Sequence, residues 1–510
     1  MCSIRVSSLF FSFTFLAALL QLDDAARGAD APKPNILVIV ADDLGYSDLG
    51  CYGGEIKTPN LDRLASSGLK FTQFYNTARC WPSRGALLSG YYPQQINRDP
   101  AKDRPAWAIL LPELLAPAGY QSYHSGKWHV DGPVLASGFK RSYEAIDHDR
   151  NFTPKYQRLN DEQIGPAKPE ENYYSTTAIT TYALDWLAEH EEKHPRDPFF
   201  LYLTYIVPHF PLQAPAEDIA KYRGKFRAGW DALREERWKR LTDSGMVHTP
   251  LSPRAKQIPA WDSLSDSEKD AWEWRMAIHA AMVDRMDREI GRVLDQLKKE
   301  GKFDDTLILF CSDNGASAEK INRGDKNDPT APPGSAKSYL CLEPAWASLA
   351  NSPFRKSKIF THEGGISTPL IVHWPKGIAA KGELRNTPAH LIDFVPTFLE
   401  LAGVDPPTEA HGAKRPPLAG KSLVPAFAKD ETIPRDFLYF HHEGNRGLRV
   451  GDWKIVASGP KSAWELYDLK TDRAESTNLA DKFPDRVKEM AEIWQKQDDE
   501  YRRQGGGKEK

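Results

Sequence analysis

The chain has 510 residues, 40% of them hydrophobic, and a formal net charge of −3. That length can bury the core of a large α/β domain together with a smaller one. The near-neutral charge excludes the basic footprint of a nucleic-acid binder, and five cysteines are too sparse for a disulfide framework.

In chain order, Arg5 and the apolar run Leu9–Leu20 read as a secretory signal, the run being too short to span a bilayer. Small residues up to Ala29 offer a cleavage site, so residues 1–29 are expected to be a signal peptide. The mature chain is then exported, periplasmic or secreted, with no membrane attachment after cleavage. "PNILVIVADD", Pro34 to Asp43, is a continuous apolar run ending in acids, the pattern of a strand buried on both faces. "TPNLDRLASSG" follows as a helix with Thr58 as cap, Pro59 in its first turn and Gly68 as stop. Further strands are expected within Tyr120–His129, Phe199–Pro211, Thr306–Gly315 and Pro369–Pro375, with helices near 176–193 and 269–299 between them. This alternation predicts a three-layer α/β sandwich with a large, mostly parallel central sheet. It should occupy residues 30–420, with a polar, Trp-rich insertion at about 214–265 over its active edge. Trp230, Trp238 and Trp261 there either fill a core or stack on sugar rings, and the insertion is expected to set substrate choice. Short strands with a Gly451-Asp452 turn and a helix from Pro484 predict a small C-terminal α+β subdomain over 421–510 with an antiparallel sheet.

In a parallel sheet the strand carboxyl ends share one edge, where ligands bind. Asp42-Asp43, Lys127 with His129, His209 and Asp313-Asn314 all follow such ends. Any one pair could merely cap a turn, but four strands delivering such groups together point to a site. Asp42, Asp43, Asp313 and Asn314 form an oxygen set with three negative charges. It suits Ca²⁺ or Mg²⁺ better than zinc, which the histidines keep as a minor alternative. In "RCWPSRGALLSG", Cys80 stands where a helix should begin, with Pro82 in its first turn and Arg84 beside it. The residue is either a buried structural cysteine, a thiolate activated by the helix end, or a precursor of something bearing oxygen.

"CWPSRGALLSG" resembles the signature of the formylglycine-dependent (type I) sulfatases, C-x-P-S-R-x-x-x-L-[ST]-G, arylsulfatase-like members of the alkaline phosphatase superfamily. "ADDLGYSDLGCYGG", "GKWH", "VPHFPL", "CSDNGA", "NSPFRKSKIFTHEGG" and "WELYDL" are similar to family segments in the same order. The resemblance implies hydrolysis of sulfate monoesters, of a sulfated glycan or an aryl sulfate. It implies that a formylglycine-generating enzyme converts Cys80 to 3-oxoalanine (formylglycine), whose hydrate is the nucleophile. Asp42, Asp43, Asp313 and Asn314 would hold Ca²⁺, or else Mg²⁺. Arg84 would steady the hydrate, Lys127 and Lys358 would bind sulfate oxygens, and His209 would protonate the leaving group. His129 would take a proton from the hydrate, and His362 would touch substrate. The alternatives are a phosphate or phosphonate ester hydrolase of the same superfamily and an inactive binder of sulfated glycans.

Overall fold

The computed structural model describes residues 33–167, 172–321 and 323–506. The signal-peptide reading of residues 1–29 lies outside the described residues. No helix among the described residues is long and apolar enough to cross a membrane.

The apolar run after Pro34 is strand β1 (Asn35–Ala41), buried along its whole length. Its residues alternate between two cores. Leu37, Ile39 and Ala41 face one side, with Ile179 and Leu187 of helix Ser175–Lys193 and Ile278 and Met286 of helix Asp266–Lys299. Ile36, Val38 and Val40 face the other, with Leu111, Leu114, Phe394 and Phe398 from shorter helices. Side-chain alternation along a strand makes both faces apolar, and helices cover both.

Ten further strands join β1 in one sheet: β2 (Leu69–Tyr75), β3 (Gln121–Gly126), β4 (Arg141–Glu144), β5 (Gln157–Leu159), β6 (Glu162–Ile164), β7 (Phe199–Thr204), β8 (Thr306–Ser312), β9 (Ser367–His373), β10 (Glu383–Arg385) and β11 (Ala389–His390). The spatial order is β10-β2-β9-β8-β1-β7-β3-β4-β5-β6, with β11 also on β2. The segment β8-β1-β7-β3-β4 is parallel, whereas β9 is antiparallel to both β8 and β2, and β5 and β6 form an antiparallel margin. The sheet is thus mixed and mostly parallel, as the strand–helix alternation predicts.

Four short strands, Leu438–His442, Asn445–Val450, Trp453–Ala457 and Glu465–Asp468, build a separate antiparallel sheet. The helix Pro484–Gln504 covers it through Met490, Trp494 and Tyr501. From Pro34 onward the described residues form one compact unit.

In the 214–265 segment, Trp230 is 0% and Trp261 4% exposed. They pack edge-on to each other at 4.8 Å, and Trp230 also meets Trp272 and Trp346 at 5.4 and 5.3 Å. Trp238 is tied by its indole N–H to the Thr249 carbonyl. The open choice between core and sugar platform therefore resolves to core for Trp230 and Trp261. The helix Gly229–Asp243 that carries Trp230 looks polar in sequence, but two of its charged residues, Arg234 and Arg237, are buried as well, Arg237 against Asp48 and Glu55.

Candidate active site

Register brings the site together. Ala41 of β1 pairs with Ser312 of β8, Val40 with Thr204 of β7, and Thr204 with Gly126 of β3. The strands end level, so the next residues, Asp42-Asp43, Asp313-Asn314 and Lys127, emerge side by side. Gly126 is required for this. At φ +123° a Cβ would lie 1.7 Å from the Thr204 carbonyl oxygen, so only glycine lets the two backbones approach there. Cys80 opens the helix Cys80–Ser89. Ser83 ties that helix to the preceding loop, its Oγ accepting from the Thr77 N–H at 3.1 Å. Gly90 ends the helix at φ +78°, where a Cβ would meet Val395 at 2.9 Å.

Three carboxylates are buried here, each beside a buried cation. The Lys127 ammonium donates to Asp42 Oδ2 at 2.5 Å. Lys358 donates to Asp43 Oδ2 at 2.9 Å and also faces Glu319 at 3.1 Å. Arg84 donates through Nε to Asp313 Oδ2 at 2.9 Å and through Nη1 to the Lys127 carbonyl at 2.7 Å. Asn314 Nδ2 donates to Asp43 Oδ1 at 2.6 Å. The His209 ring donates from Nδ1 to the Phe210 carbonyl, which leaves Nε2 facing Asp43 Oδ2 at 3.7 Å. The rings of Trp81 and His129 lie 5.8 Å apart, placing His129 beside the start of the Cys80 helix.

The electrostatics are those of a crowded anion cluster. Burial and the Asp42 charge push Asp313 up to about 7. Burial also raises Asp43, against the pull of Lys358. Asp42 goes the other way: burial alone would raise it, but Lys127, His209 and Arg84 together hold it far below its ordinary value. Burial lowers Lys127 and Lys358, yet the surrounding carboxylates outweigh it and keep both ammoniums charged. Burial, then Lys358, brings His209 down to about 3. Burial raises the Cys80 thiol against the pull of Lys127 and Lys358, so the sulfur is no ready thiolate.

Backbone strain marks the same place. Asp43, Ala78, His129 and Ile359 all have φ between 54° and 82° without being glycine. Such conformations are sparsely populated, and Ile359 is β-branched besides.

The donor set fits a hard divalent cation. Asp42 Oδ1 and Asn314 Oδ1 are buried oxygens with no hydrogen-bond partner, and burial together with the neighbouring Asp42 charge holds Asp43 and Asp313 above their ordinary values. Asp42, Asp43 and His209 each bring a ligand atom within 4.8 Å of the others. The carboxylate of Asp313 is turned onto Arg84, so its Oδ1 lies toward the Asp43 N–H at 3.4 Å.

Of the residues singled out in the sequence, Asp42, Asp43, Arg84, Lys127, His209, Asp313, Asn314 and Lys358 are linked by direct contacts. Cys80 and His129 adjoin them. His362 is placed elsewhere: it is 0% exposed and its Nε2 lies 3.4 Å from Glu465 and 3.3 Å from Arg355, beneath the C-terminal strands. Its ring is engaged with Glu465 and Arg355 and contacts none of the clustered residues, which corrects the expected substrate contact. Two further residues escape sequence reasoning. Glu319 bridges Lys358 and Arg79, and His148 lies between His129 and His209 at ring-centroid distances of 5.7 and 5.8 Å. A lone acid and a lone histidine in loops carry no spacing signal.

Comparison with known proteins agrees with this geometry. The model of the sulfatase family matches residues 34–404, and that of the C-terminal region of N-sulphoglucosamine sulphohydrolases matches 355–503. An uncharacterised sulfatase of Schizosaccharomyces pombe is 33% identical, over 92% of this chain and 94% of its own. An arylsulfatase of Klebsiella aerogenes is 30% identical, over 80% of this chain and 95% of its own. Among solved structures, Ps i-CgsB bound to k-i-k-neocarrahexaose superposes with a TM-score of 0.69 at 27% identity, covering 94% of this chain and 95% of that one. The phosphonate monoester hydrolase of Agrobacterium radiobacter, at 20% identity and a TM-score of 0.61 over 92% of this chain and 96% of its own, shares the fold. The chain belongs to the sulfatase family, and with it to the sulfuric ester hydrolases.

Proposed function

We propose that this sulfatase cleaves carbohydrate sulfate monoesters using a formylglycine made from Cys80 and a divalent cation, Ca²⁺ ahead of Mg²⁺, held by Asp42, Asp43, Asp313 and Asn314. The observation that carries the reading is the convergence of three buried carboxylates and three buried cations on the start of the Cys80 helix. The three charge pairs cancel. A bound divalent ion would leave the site with two excess positive charges, suited to an anion such as a sulfate ester. When present, the ion would polarise a sulfate oxygen, and the hydrated aldehyde would supply an oxygen nucleophile.

The chain's own groups do the rest. Lys127 and Lys358 are placed to leave their carboxylates for sulfate oxygens and to stabilise charge there. His209 presents Nε2 to the cluster; its ring, brought down to about 3, is neutral there, so a bound sulfate anion would have to raise it before Nε2 could carry a proton to the departing oxygen. His129 stands beside residue 80 to accept a proton. Arg84 is fixed at both ends of its guanidinium and holds the floor of the site.

A carbohydrate substrate is supported by relatives named N-acetylglucosamine-6-O-sulfatase in Bacteroides thetaiotaomicron and N-acetylgalactosamine-6-sulfatase in Homo sapiens, 26% and 27% identical. It is also supported by the oligosaccharide bound to Ps i-CgsB. Conversion of Cys80 calls for a formylglycine-generating enzyme as partner, and the sequence of residues 1–29 fits export.

The test pairs 4-nitrophenyl sulfate with 4-nitrophenyl phosphate, using enzyme co-expressed with a formylglycine-generating enzyme. Preference for the sulfate ester, abolished in Cys80→Ala, supports the reading. Preference for the phosphate ester would replace it with the phosphoesterase alternative.

A further inference from the structure

Two histidines of the site have roles in the reading above, and a third stands between them. His148 is half-buried in the loop after β4. Its ring is tilted 36° to that of His129 and stands edge-on to that of His209. Its ring nitrogens make no hydrogen bond to any described residue, although the loop that carries it is anchored repeatedly. Asp147 accepts from Arg150 Nη1 and from the Lys155 N–H, both at 2.9 Å. Asp149 accepts from Arg323 at 2.7 Å, Lys326 at 2.5 Å and the Tyr339 hydroxyl at 2.8 Å. Asn151 takes a hydrogen bond from Ser175 at 2.6 Å, and its N–H donates to Gln213 at 3.0 Å. Its side chain donates to the carbonyl of Pro211, two residues beyond His209. The anchors therefore hold the His148 loop against the His209 loop, while the ring they position is left without a partner.

A rigidly placed polar ring with free nitrogens, next to the group assigned to the leaving oxygen, is built to meet substrate. Burial, then Lys127 and His209, brings His148 down to about 3, so the ring is neutral, with one N–H donor and one lone pair. A hydroxyl, which also donates and accepts, can engage both ring nitrogens, whereas an anion can use only the N–H donor.

We propose that His148 is a specificity-determining residue that hydrogen-bonds a hydroxyl on the alcohol portion of a carbohydrate sulfate, beside the oxygen that leaves. The inference rests on the sulfatase reading and deepens it, because it names the feature of the substrate that the site reads outside the sulfate group.

The test compares kcat and KM of wild type, His148→Phe and His148→Asn. The probes are N-acetylglucosamine 6-sulfate, N-acetylgalactosamine 6-sulfate and 4-nitrophenyl sulfate, the last without hydroxyls. Phenylalanine keeps the ring contacts and removes both nitrogens, while asparagine keeps a donor and an acceptor. In His148→Phe the loss of kcat/KM on the preferred sugar sulfate should exceed that on nitrophenyl sulfate by about tenfold, mainly through KM, as expected for one or two neutral hydrogen bonds. His148→Asn should recover part of it. Equal losses on both esters, or no loss on either, would overturn the inference and leave the sulfatase reading standing. A wild-type enzyme that cleaves nitrophenyl sulfate but neither sugar sulfate would overturn it as well. Wild-type turnover of none of the three would defeat the sulfatase reading itself.

Discussion

At the scale of single residues, the two histidines to which proton transfer is assigned make different demands. A sugar alkoxide is a strong base and needs a proton as it departs, whereas nitrophenolate hardly does. General acid catalysis typically contributes about 10²- to 10⁴-fold. His209→Ala should therefore lose about that factor on a sugar sulfate and far less on nitrophenyl sulfate. His129→Ala should slow both esters alike, since a proton accepted beside residue 80 serves every substrate. Steady-state kinetics on both esters check this, and equal loss in His209→Ala would make that residue a sulfate binder instead. Most of these residues could be read from sequence because each stands next to a strand end or inside a dense motif. Asp42 and Asp313 follow apolar runs, Lys127 follows a short strand, and Cys80 sits among Pro82, Ser83 and Arg84. His148 and Glu319 could not, because each works only through a spatial neighbour far away in sequence. His362 was misleading for a related reason: it lies four residues from Lys358, but the chain turns at Ile359, φ 82°, and buries it.

At the scale of elements, the C-terminal sheet holds the segment that carries Lys358. Thr361 donates to the Arg446 carbonyl at 2.9 Å and Asn445 to the Ile359 carbonyl at 3.2 Å, while the Ile359 N–H donates to Ala78, two residues before Cys80. Beneath lies a buried ionic cluster. Lys454 is 0% exposed and bridges Glu363 at 2.9 Å and Glu475 at 2.8 Å, and Arg473 and Tyr75 also contact Glu363. Removing one member leaves buried charge unpaired, so Lys454→Met should cost about 3–5 kcal/mol in urea denaturation. Burial alone would raise the Glu363 carboxyl, but Lys454 and Arg473 hold it down to about 2, from an ordinary 4.5. A depressed carboxyl stabilises the fold fully above its unfolded value and loses that stabilisation as pH falls toward the folded one. Stability should thus fall between about pH 4.5 and 2 more steeply in wild type than in Glu363→Gln, and parallel curves would contradict the pairing. The alternation in "FLYFHHEG" and "RGLRVGDWKIVA" shows these strands in the sequence. Their grip on Lys358 is not visible there, because it runs through backbone carbonyls. The antiparallel β9 is likewise hidden, since strand direction leaves no mark on a uniformly buried run.

At the scale of the molecule, the structure joins one sheet edge, one helix start and one subdomain into a single charged site. The three-layer architecture was legible because periodicity and strand–helix alternation decide it. The balance of three carboxylates against three cations was not, because it exists only once register has levelled the strand ends. A ligand that binds only the folded form stabilises it, by about 2.7 kcal/mol at a hundred times its dissociation constant. Ca²⁺ should therefore raise the melting temperature by several degrees, and Asp42→Asn with Asp313→Asn should abolish that rise.

The most direct measurement is the aldehyde content of residue 80 set against turnover. Enzyme produced with graded amounts of a formylglycine-generating enzyme gives a series from unmodified to fully converted protein. Mass spectrometry of the tryptic peptide Cys80–Arg84 reports the converted fraction, and 4-nitrophenyl sulfate reports activity. Turnover should rise in proportion to the aldehyde fraction and extrapolate to zero where only cysteine remains. Full turnover by protein whose residue 80 is entirely cysteine would contradict the account.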